Sequence, residues 1–329
     1  MPYAYQLENI AYSPSSLIST IFSLILDVFI AVIIFMLITR RYKNGLVFNL
    51  LEGYIIILGS GTFFYLVILS ILGVYLSLFE GFVAALIFAL ALLFIKRNKK
   101  ENPRVRNITT MLSSIGMGIL IGAGIGNLLI LYLLIAVFAV YDYVAVFVLK
   151  FMIPLAKQAV NMNLAFMISS SDMEAIPKTE FTEKEKKEFN IFLKKNKHYA
   201  EHVREITKTG AIPTVSSIML GNGDIMLPIA VAAGSYAATA NIFLSVLLVI
   251  FSGLGVITTM LILRKYKVGL PAIPPLFSFI SIAFAIFFIL EQPSELFYIL
   301  LFLIASIASM VALIFTLRRI IKLQKRLIK

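Results

Sequence analysis

The chain has 329 residues, of which 60% are hydrophobic and only 14% are charged, whereas a soluble domain averages about 45–50% apolar and ~25% charged residues. This balance leaves too few polar side chains to cover the surface of a soluble protein, so we expect an integral membrane protein. The net charge is +12, but Lys and Arg cluster between apolar runs, which argues against nucleic-acid binding. The chain has no Cys, which excludes disulfides, thiolate metal sites and a cysteine nucleophile.

The apolar runs are each close to the ~20 residues that a helix needs to cross about 30 Å of hydrocarbon. Residues 1–16 lack the basic start and small-residue cleavage site of a signal peptide, so the first run is predicted to be a retained helix. The stretch 45–95 divides either into two long helices meeting near 73–76 or into three short ones broken near 59–61 and 78–80. The other predicted helices cover 17–39, 108–125, 127–152, 213–233, 239–263, 271–290 and 295–317.

The placement of Lys and Arg tests this division, because cytoplasmic loops carry an excess of both residues. With two helices in 45–95, every basic cluster falls on one side, namely 40–43, 96–106, 150–208, 264–267 and the tail. We therefore predict an all-α polytopic membrane protein with about nine transmembrane helices (eight to ten) and a cytoplasmic C-terminus. Three short helices would make ten spans. The polar segment 156–210 is the one sizeable extramembrane piece, and 180–206 is predicted to be an amphipathic helix that lies on the membrane or is solvated.

Carboxylates inside apolar spans cost roughly 2.5–3.5 kcal/mol each on insertion scales, so each suggests a function. Asp142 and Asp224 are predicted at comparable depth on helices of opposite direction, where they can face each other. Gly221 and Gly223 are expected to let a neighbouring backbone approach closely. The alternative, that the glycines only pack helices and each Asp pairs with a hydroxyl, remains open. Two further intramembrane carboxylates are Asp27 and Glu52, while Glu80 is predicted at a wet helix end.

A third element, 269–275, follows the basic turn on the same side of the membrane. Its three prolines remove amide donors and prevent a regular first helical turn. Irregular backbone at that depth is tolerated where protein or a water-filled cavity covers it. A proline-rich helix start is the simpler alternative.

Three motifs occur in order along the chain: YD (Tyr141-Asp142), GxGD (221–224) and a PAL-like segment starting at Pro271. Over residues 108–290 the chain resembles the presenilin and signal peptide peptidase family of intramembrane aspartyl proteases, in an archaeal-type form. Ile273 replaces the usual Leu of PAL, and the span 295–317 is extra to the family pattern. The resemblance implies a presenilin-like bundle with Asp142 and Asp224 as catalytic residues. It implies substrate contacts at Tyr141, Gly221, Gly223, Pro271, Ala272, Ile273 and Pro274.

The resemblance implies hydrolysis of transmembrane or signal peptides within the bilayer. One Asp holds a proton and the other acts as base, since two carboxylates in a low-dielectric site cannot both ionise easily. The PAL-like segment and the extended run 210–215 would grip the unwound substrate by strand addition. A proton- or cation-coupled transporter or channel using the intramembrane carboxylates, and a prepilin or preflagellin peptidase with a GxGD aspartate, are the alternatives.

The only histidines are His198 and His202, whose i, i+4 spacing could hold a metal. A solvated helix face in the charged segment is the preferred interpretation, so no cofactor or metal is expected. The expected partners are the substrate and the bilayer, not nucleic acid, and a homo-oligomer remains open. Abundant Ile and Lys without Cys or Trp are typical of thermophilic microbes. The archaeal-type resemblance implies that the protein lies in the plasma membrane of a prokaryote, an archaeon. The predicted units are the N-terminal helices (1–107), the YD helix pair (108–153), the cytoplasmic loop (154–211), the GxGD and PAL helices (212–290) and the C-terminal helix with its tail (291–329).

Overall fold

The computed structural model describes residues 26, 45–73, 75–99, 102–125, 127–148, 165, 167–177, 211–266 and 271–327. The predicted first span with Asp27, the amphipathic helix 180–206 and both histidines lie outside the described residues. The described elements are α1 (Gly45–Leu72), α2 (Leu78–Asn98), α3 (Pro103–Ile125), α4 (Leu128–Tyr143, continued by the π-helical turn Val144–Val148), β1 (Met167–Pro177), β2 (Ala211–Gly221), α5 (Asn222–Thr239), α6 (Ile242–Tyr266), α7 (Ile273–Glu291) and α8 (Leu296–Leu327).

The prediction of an all-α polytopic membrane protein is confirmed. Within the described ranges, seven helices are long and apolar enough to cross a membrane: α1 to α4 and α6 to α8. The remaining helix, α5, begins with the polar turn Asn222-Gly223-Asp224. The total of nine spans includes the first span and therefore stays a prediction.

The stretch 45–95 forms two helices, so the division into three is wrong. A capping box starts α2: Ser77 Oγ accepts the Glu80 N–H at 3.3 Å, and the Glu80 carboxylate accepts the Ser77 N–H at 2.8 Å. Gly59 stays inside α1, where a Cβ would meet the Ser113 carbonyl oxygen of α3 at 2.2 Å. This glycine therefore allows close helix packing instead of breaking the helix.

The predicted basic loop after α2 is shorter than expected. Helix α2 continues to Asn98, and α3 begins at Pro103, because a proline loses nothing at the first helical position, where its missing N–H would have no partner. The Asn102 side chain accepts the Arg104 N–H at 3.0 Å and completes this start. Helix α8 likewise continues through the predicted basic tail to Leu327.

The predicted helix start at residue 213 is wrong, because 211–221 is a strand. Pro213 cannot donate a helical hydrogen bond, and the neighbouring β-branched residues Ile212, Thr214 and Val215 favour extended backbone. Strand β2 pairs with β1 in a two-stranded sheet. Residues 169–219, which hold most of this sheet, form a compact unit of their own.

Helix α7 occupies the centre of the bundle that the other helices form. Inside the structure, 72% of its apolar stretch is buried, whereas the same share is 17–39% for the other six candidate spans. Tyr132 of α4 joins the core, with its ring 5.4 Å from Phe277, 5.5 Å from Phe284 and 4.7 Å from Phe302. Its hydroxyl shares a hydrogen bond of 2.9 Å with Ser281 of α7. Helices α4, α7 and α8 therefore meet around one aromatic core.

Candidate active site

Asp142 is the next-to-last residue of α4, one residue before its end at Tyr143, and only 8% of it is exposed. Its Oδ2 accepts the Ile273 N–H at 3.0 Å. This donor belongs to the start of α7, which has no side-chain cap of its own. The first N–H groups of a helix lack partners and attract negative charge. The YD motif therefore caps the PAL-like segment.

Asp224 is the third residue of α5 and is partly exposed. Its Oδ2 accepts the Gly221 N–H at 3.0 Å, which anchors the carboxylate at the start of its own helix. A Cβ on Gly221 would lie 3.1 Å from this oxygen, whereas a Cβ on Gly223 would meet nothing within 4 Å. Among the described residues no backbone of another element approaches these two positions within 4 Å, so the close approach expected at Gly221 and Gly223 stays a prediction. Gly221 leaves room for the Asp224 carboxylate.

The helices that carry the two aspartates pack against each other, although the whole polar segment separates α4 from α5 along the chain. Each carboxylate is held by at least one backbone N–H, which restricts where its oxygens can point.

Helix α3 supports the helix that carries Asp224. A Cβ on Gly118 would lie 2.7 Å from the Met226 carbonyl oxygen, and one on Gly122 would lie 2.1 Å from that of Ala230. These two glycines therefore let α3 and α5 pack closely, and Gly116 does the same against Gly59 of α1, whereas a Cβ on Gly124 would meet no described atom within 4 Å.

Ser114 of α3 shares a hydrogen bond with the side chain of Asn222, in the variable position of GxGD, and also bonds to the Thr110 carbonyl of its own helix. The sequence analysis did not identify Ser114 as a site residue. The available signal was the run of Thr and Ser at 109, 110, 113 and 114, which recurs at helical spacing and is fully buried.

The other predicted site residues lie around Asp142. Tyr141 is half-buried beside it, Pro271, Ile273 and Pro274 are buried, and Ala272 is partly exposed. The Pro274 carbonyl accepts a hydrogen bond of 2.8 Å from Ser309 of α8. The Ile273 N–H is thus bound by Asp142, and the Pro274 carbonyl is bound by Ser309 of α8.

Glu52 and Glu80, the two other carboxylates that the sequence analysis singled out and the structure describes, have structural partners. Glu52 is buried and pairs with Lys96 of α2, and it also accepts the Ala165 N–H. Glu80 is exposed and caps α2, as predicted for a helix end. Among the described residues, no three His, Cys, Asp or Glu side chains group together as metal ligands.

Residues 4–290 match the family model described as signal-peptide peptidase, presenilin aspartyl protease. The chain belongs to this family. It is therefore an integral membrane protein and an intramembrane aspartyl protease, and its family acts on transmembrane substrates in a lipid bilayer. No curated protein matches the chain.

The family match covers the YD, GxGD and PAL-like segments together. It ends at residue 290, one residue before the end of α7, so α8 lies outside it. The extra C-terminal helix is thus an addition to the matched part of this signal-peptide peptidase and presenilin family member.

Proposed function

We propose that Asp142 and Asp224 hydrolyse peptide bonds of transmembrane helical substrates by activating a water molecule. The observation that carries this proposal is the packing of α4 against α5, the two helices that supply the carboxylates. Both are placed by backbone hydrogen bonds at helix starts. An aspartate pair held in this way has the positioned groups that acid–base catalysis needs.

The reaction needs one proton shared by the pair. The ionised carboxylate takes a proton from water while the water oxygen attacks the scissile carbonyl carbon, and the protonated carboxylate donates a hydrogen bond to the developing oxyanion. The C–N bond then breaks, and the leaving amine receives a proton from the pair. One water is consumed for each bond cleaved. The two carboxylates titrate as a unit, so neither role is assigned to one residue.

The substrate must be unwound before hydrolysis, because a helical amide is occupied by its own hydrogen bond. Strand β2 leads directly into α5 and ends three residues before Asp224. Among the described residues β1 and β2 pair only with each other, and a strand edge without a partner can accept a further strand. We propose that the unwound substrate adds to this sheet. The PAL-like segment then contributes through groups other than the Ile273 N–H and the Pro274 carbonyl, which are already engaged.

The test is cleavage of a transmembrane peptide by the purified protein in lipid, with products identified by mass spectrometry. Asp142→Asn and Asp224→Asn are each expected to abolish cleavage. Glu80→Gln is the matched control, because it also replaces an acid by its amide while Gln can still serve the capping box of α2. Cleavage by either Asn variant at the wild-type rate would exclude the two-aspartate mechanism.

The role of the prolines has a separate test. Pro271→Ala and Pro274→Ala are expected to slow cleavage of a helical substrate. Each substitution introduces a backbone N–H that proline lacks and removes the fixed φ angle, so the irregular start of α7 is held less rigidly. Unchanged cleavage in both variants would show that this segment does not help to hold substrate.

We further propose that the C-terminus and the 154–211 loop face the cytoplasm, because the basic clusters lie on that side. The natural absence of Cys makes single-cysteine labelling unambiguous. A membrane-impermeant maleimide is expected to label Gln292→Cys on intact cells, and Lys329→Cys only after the cells are opened. The reverse pattern would invert the topology.

A further inference from the structure

Helix α8 packs along the central helix α7 although it lies beyond the part of the chain that matches the family. Its buried face carries apolar and small polar residues at helical spacing: Phe302, Ser306, Leu313 and Leu317. Ser278 of α7 bonds both to the Ser306 carbonyl, at 3.0 Å, and to its hydroxyl, at 2.7 Å. The contact between α7 and α8 is therefore specific as well as apolar.

One of these polar contacts reaches the PAL-like segment. The Ser309 hydroxyl donates to the Pro274 carbonyl at 2.8 Å. Pro274 follows Ile273, whose N–H is bound by Asp142. Helix α8 therefore holds the same turn of α7 that holds the carboxylate of Asp142.

A second polar contact joins α8 to the residue that follows Asp142 in the chain. The Tyr143 hydroxyl and Thr316 Oγ1 lie 2.8 Å apart. Thr316 gives its one hydroxyl proton to the Ala312 carbonyl, so Tyr143 is the donor and Thr316 the acceptor. Tyr143 is the residue after Asp142 and the last of α4 before the π-helical turn.

The two contacts lie on one face of one rigid helix. Ser309 and Thr316 are seven residues apart, which is two turns and about 10 Å along α8. One contact fixes the start of α7 and the other fixes the end of α4. Asp142 bridges these same two places, from its position on α4 to the Ile273 N–H on α7.

We propose that Ser309 and Thr316 are positioning residues, which set the distance between the end of α4 and the start of α7 and thereby aim the Asp142 carboxylate at the scissile bond. This inference rests on the proposed function. Neither hydroxyl touches the reacting atoms. Each acts through a group adjoining the Asp142 contact, Ser309 through Pro274 and Thr316 through Tyr143.

The test measures kcat and KM for a transmembrane peptide with the full chain in lipid. Thr316→Val keeps the shape of the side chain and removes the acceptor, and Tyr143→Phe removes the donor. Each is expected to lower kcat by about 3- to 10-fold with KM unchanged, the effect of one net hydrogen bond expressed in the transition state. The double variant is expected to fall no further than either single one, because both remove the same contact.

Three further variants separate positioning from general loss of structure. Thr316→Ser keeps the hydroxyl and is expected to restore kcat, while Ser309→Ala is expected to lower it. Thr258→Val is the matched control, since this half-buried threonine of α6 bonds the Leu254 carbonyl of its own helix, and it should leave kcat unchanged.

The outcomes distinguish this inference from the proposed function. If Asp224→Asn is inactive while Thr316→Val and Ser309→Ala have the wild-type kcat, the positioning role is wrong and the proposed function stands. Additive losses in the Thr316→Val, Tyr143→Phe double variant would also refute it, as would failure of Thr316→Ser to restore kcat. If Asp224→Asn still cleaves the peptide, the proposed function itself fails.

Discussion

Gly118→Ala tests whether the fit of α3 against α5 sets the position of Asp224. A Cβ at this position would lie 2.7 Å from the Met226 carbonyl oxygen and 2.8 Å from the Ile229 Cβ. Met226 lies two residues after Asp224, so the first turn of α5 must move. Restoring ordinary contact at 3.4 Å requires a displacement of about 0.7 Å, the kind of overpacking that costs about 1–3 kcal/mol.

The expected effect on catalysis follows from that displacement. A misplacement of about 1 Å at a reacting group can lower the rate on the order of 100-fold. We therefore expect Gly118→Ala to reduce kcat by about 10- to 100-fold. The assay is peptide cleavage at saturating substrate, together with the free energy of unfolding from an SDS titration in mixed micelles.

Two other glycines of α3 provide the matched series. Gly124→Ala meets nothing within 4 Å, so it should leave kcat unchanged and stabilise the helix by roughly 0.5–1 kcal/mol. Gly122→Ala would bring its Cβ within 2.1 Å of the Ala230 carbonyl oxygen, about one turn farther from Asp224 than the Met226 contact, and should lower stability more than Gly118→Ala does. Wild-type kcat in Gly118→Ala, or equal losses in Gly118→Ala and Gly124→Ala, would refute this reasoning.

Three further expectations concern buried polar contacts. Asp142→Asn keeps an acceptor for the Ile273 N–H, so Asp142→Ala should be less stable than Asp142→Asn by about 1–3 kcal/mol in an SDS titration. Equal stabilities would show that this hydrogen bond does not hold α7. Lys96→Met leaves the buried Glu52 carboxylate without its cation and should lower the free energy of unfolding by about 3–5 kcal/mol. The double variant Glu52→Leu, Lys96→Met should recover most of this loss, and unchanged stability of Lys96→Met would contradict the ion pair. Tyr132→Phe removes one hydroxyl bond and should lower thermal stability by about 0.5–1.5 kcal/mol with kcat unchanged, whereas a lowered kcat would place this contact in the active site.

The membrane class and most helices could be predicted from the sequence. Transfer of a segment into lipid depends on the summed hydrophobicity of that segment alone, so apolar length and charge placement identify spans without knowledge of their neighbours. The turn near 73–76 and the expected position of Glu80 at a helix end were predictable in this way. The order of the three motifs was visible for the same reason, since it needs no packing information.

The boundaries that failed depend on competition between local structures. Residues 216–221 are apolar enough for a helix, yet they continue strand β2 because β1 supplies a pairing partner. Helix α8 runs past its apolar part to Leu327, because a basic sequence can remain helical once it leaves the hydrocarbon. Apolar length marks where a chain can cross lipid, but it does not mark where helical hydrogen bonding stops.

The partners of the polar groups were decided only by tertiary structure. Asp142 bonds to a residue 131 positions away, and Ser114 to one 108 positions away. Apolar length determines that a helix crosses the bilayer but not its rotation about its own axis, and that rotation decides which side chains face each other. In a medium without water each buried polar group must find a partner within the protein, so the packing of α3, α4, α7 and α8 selected the contacts that hold the two aspartates.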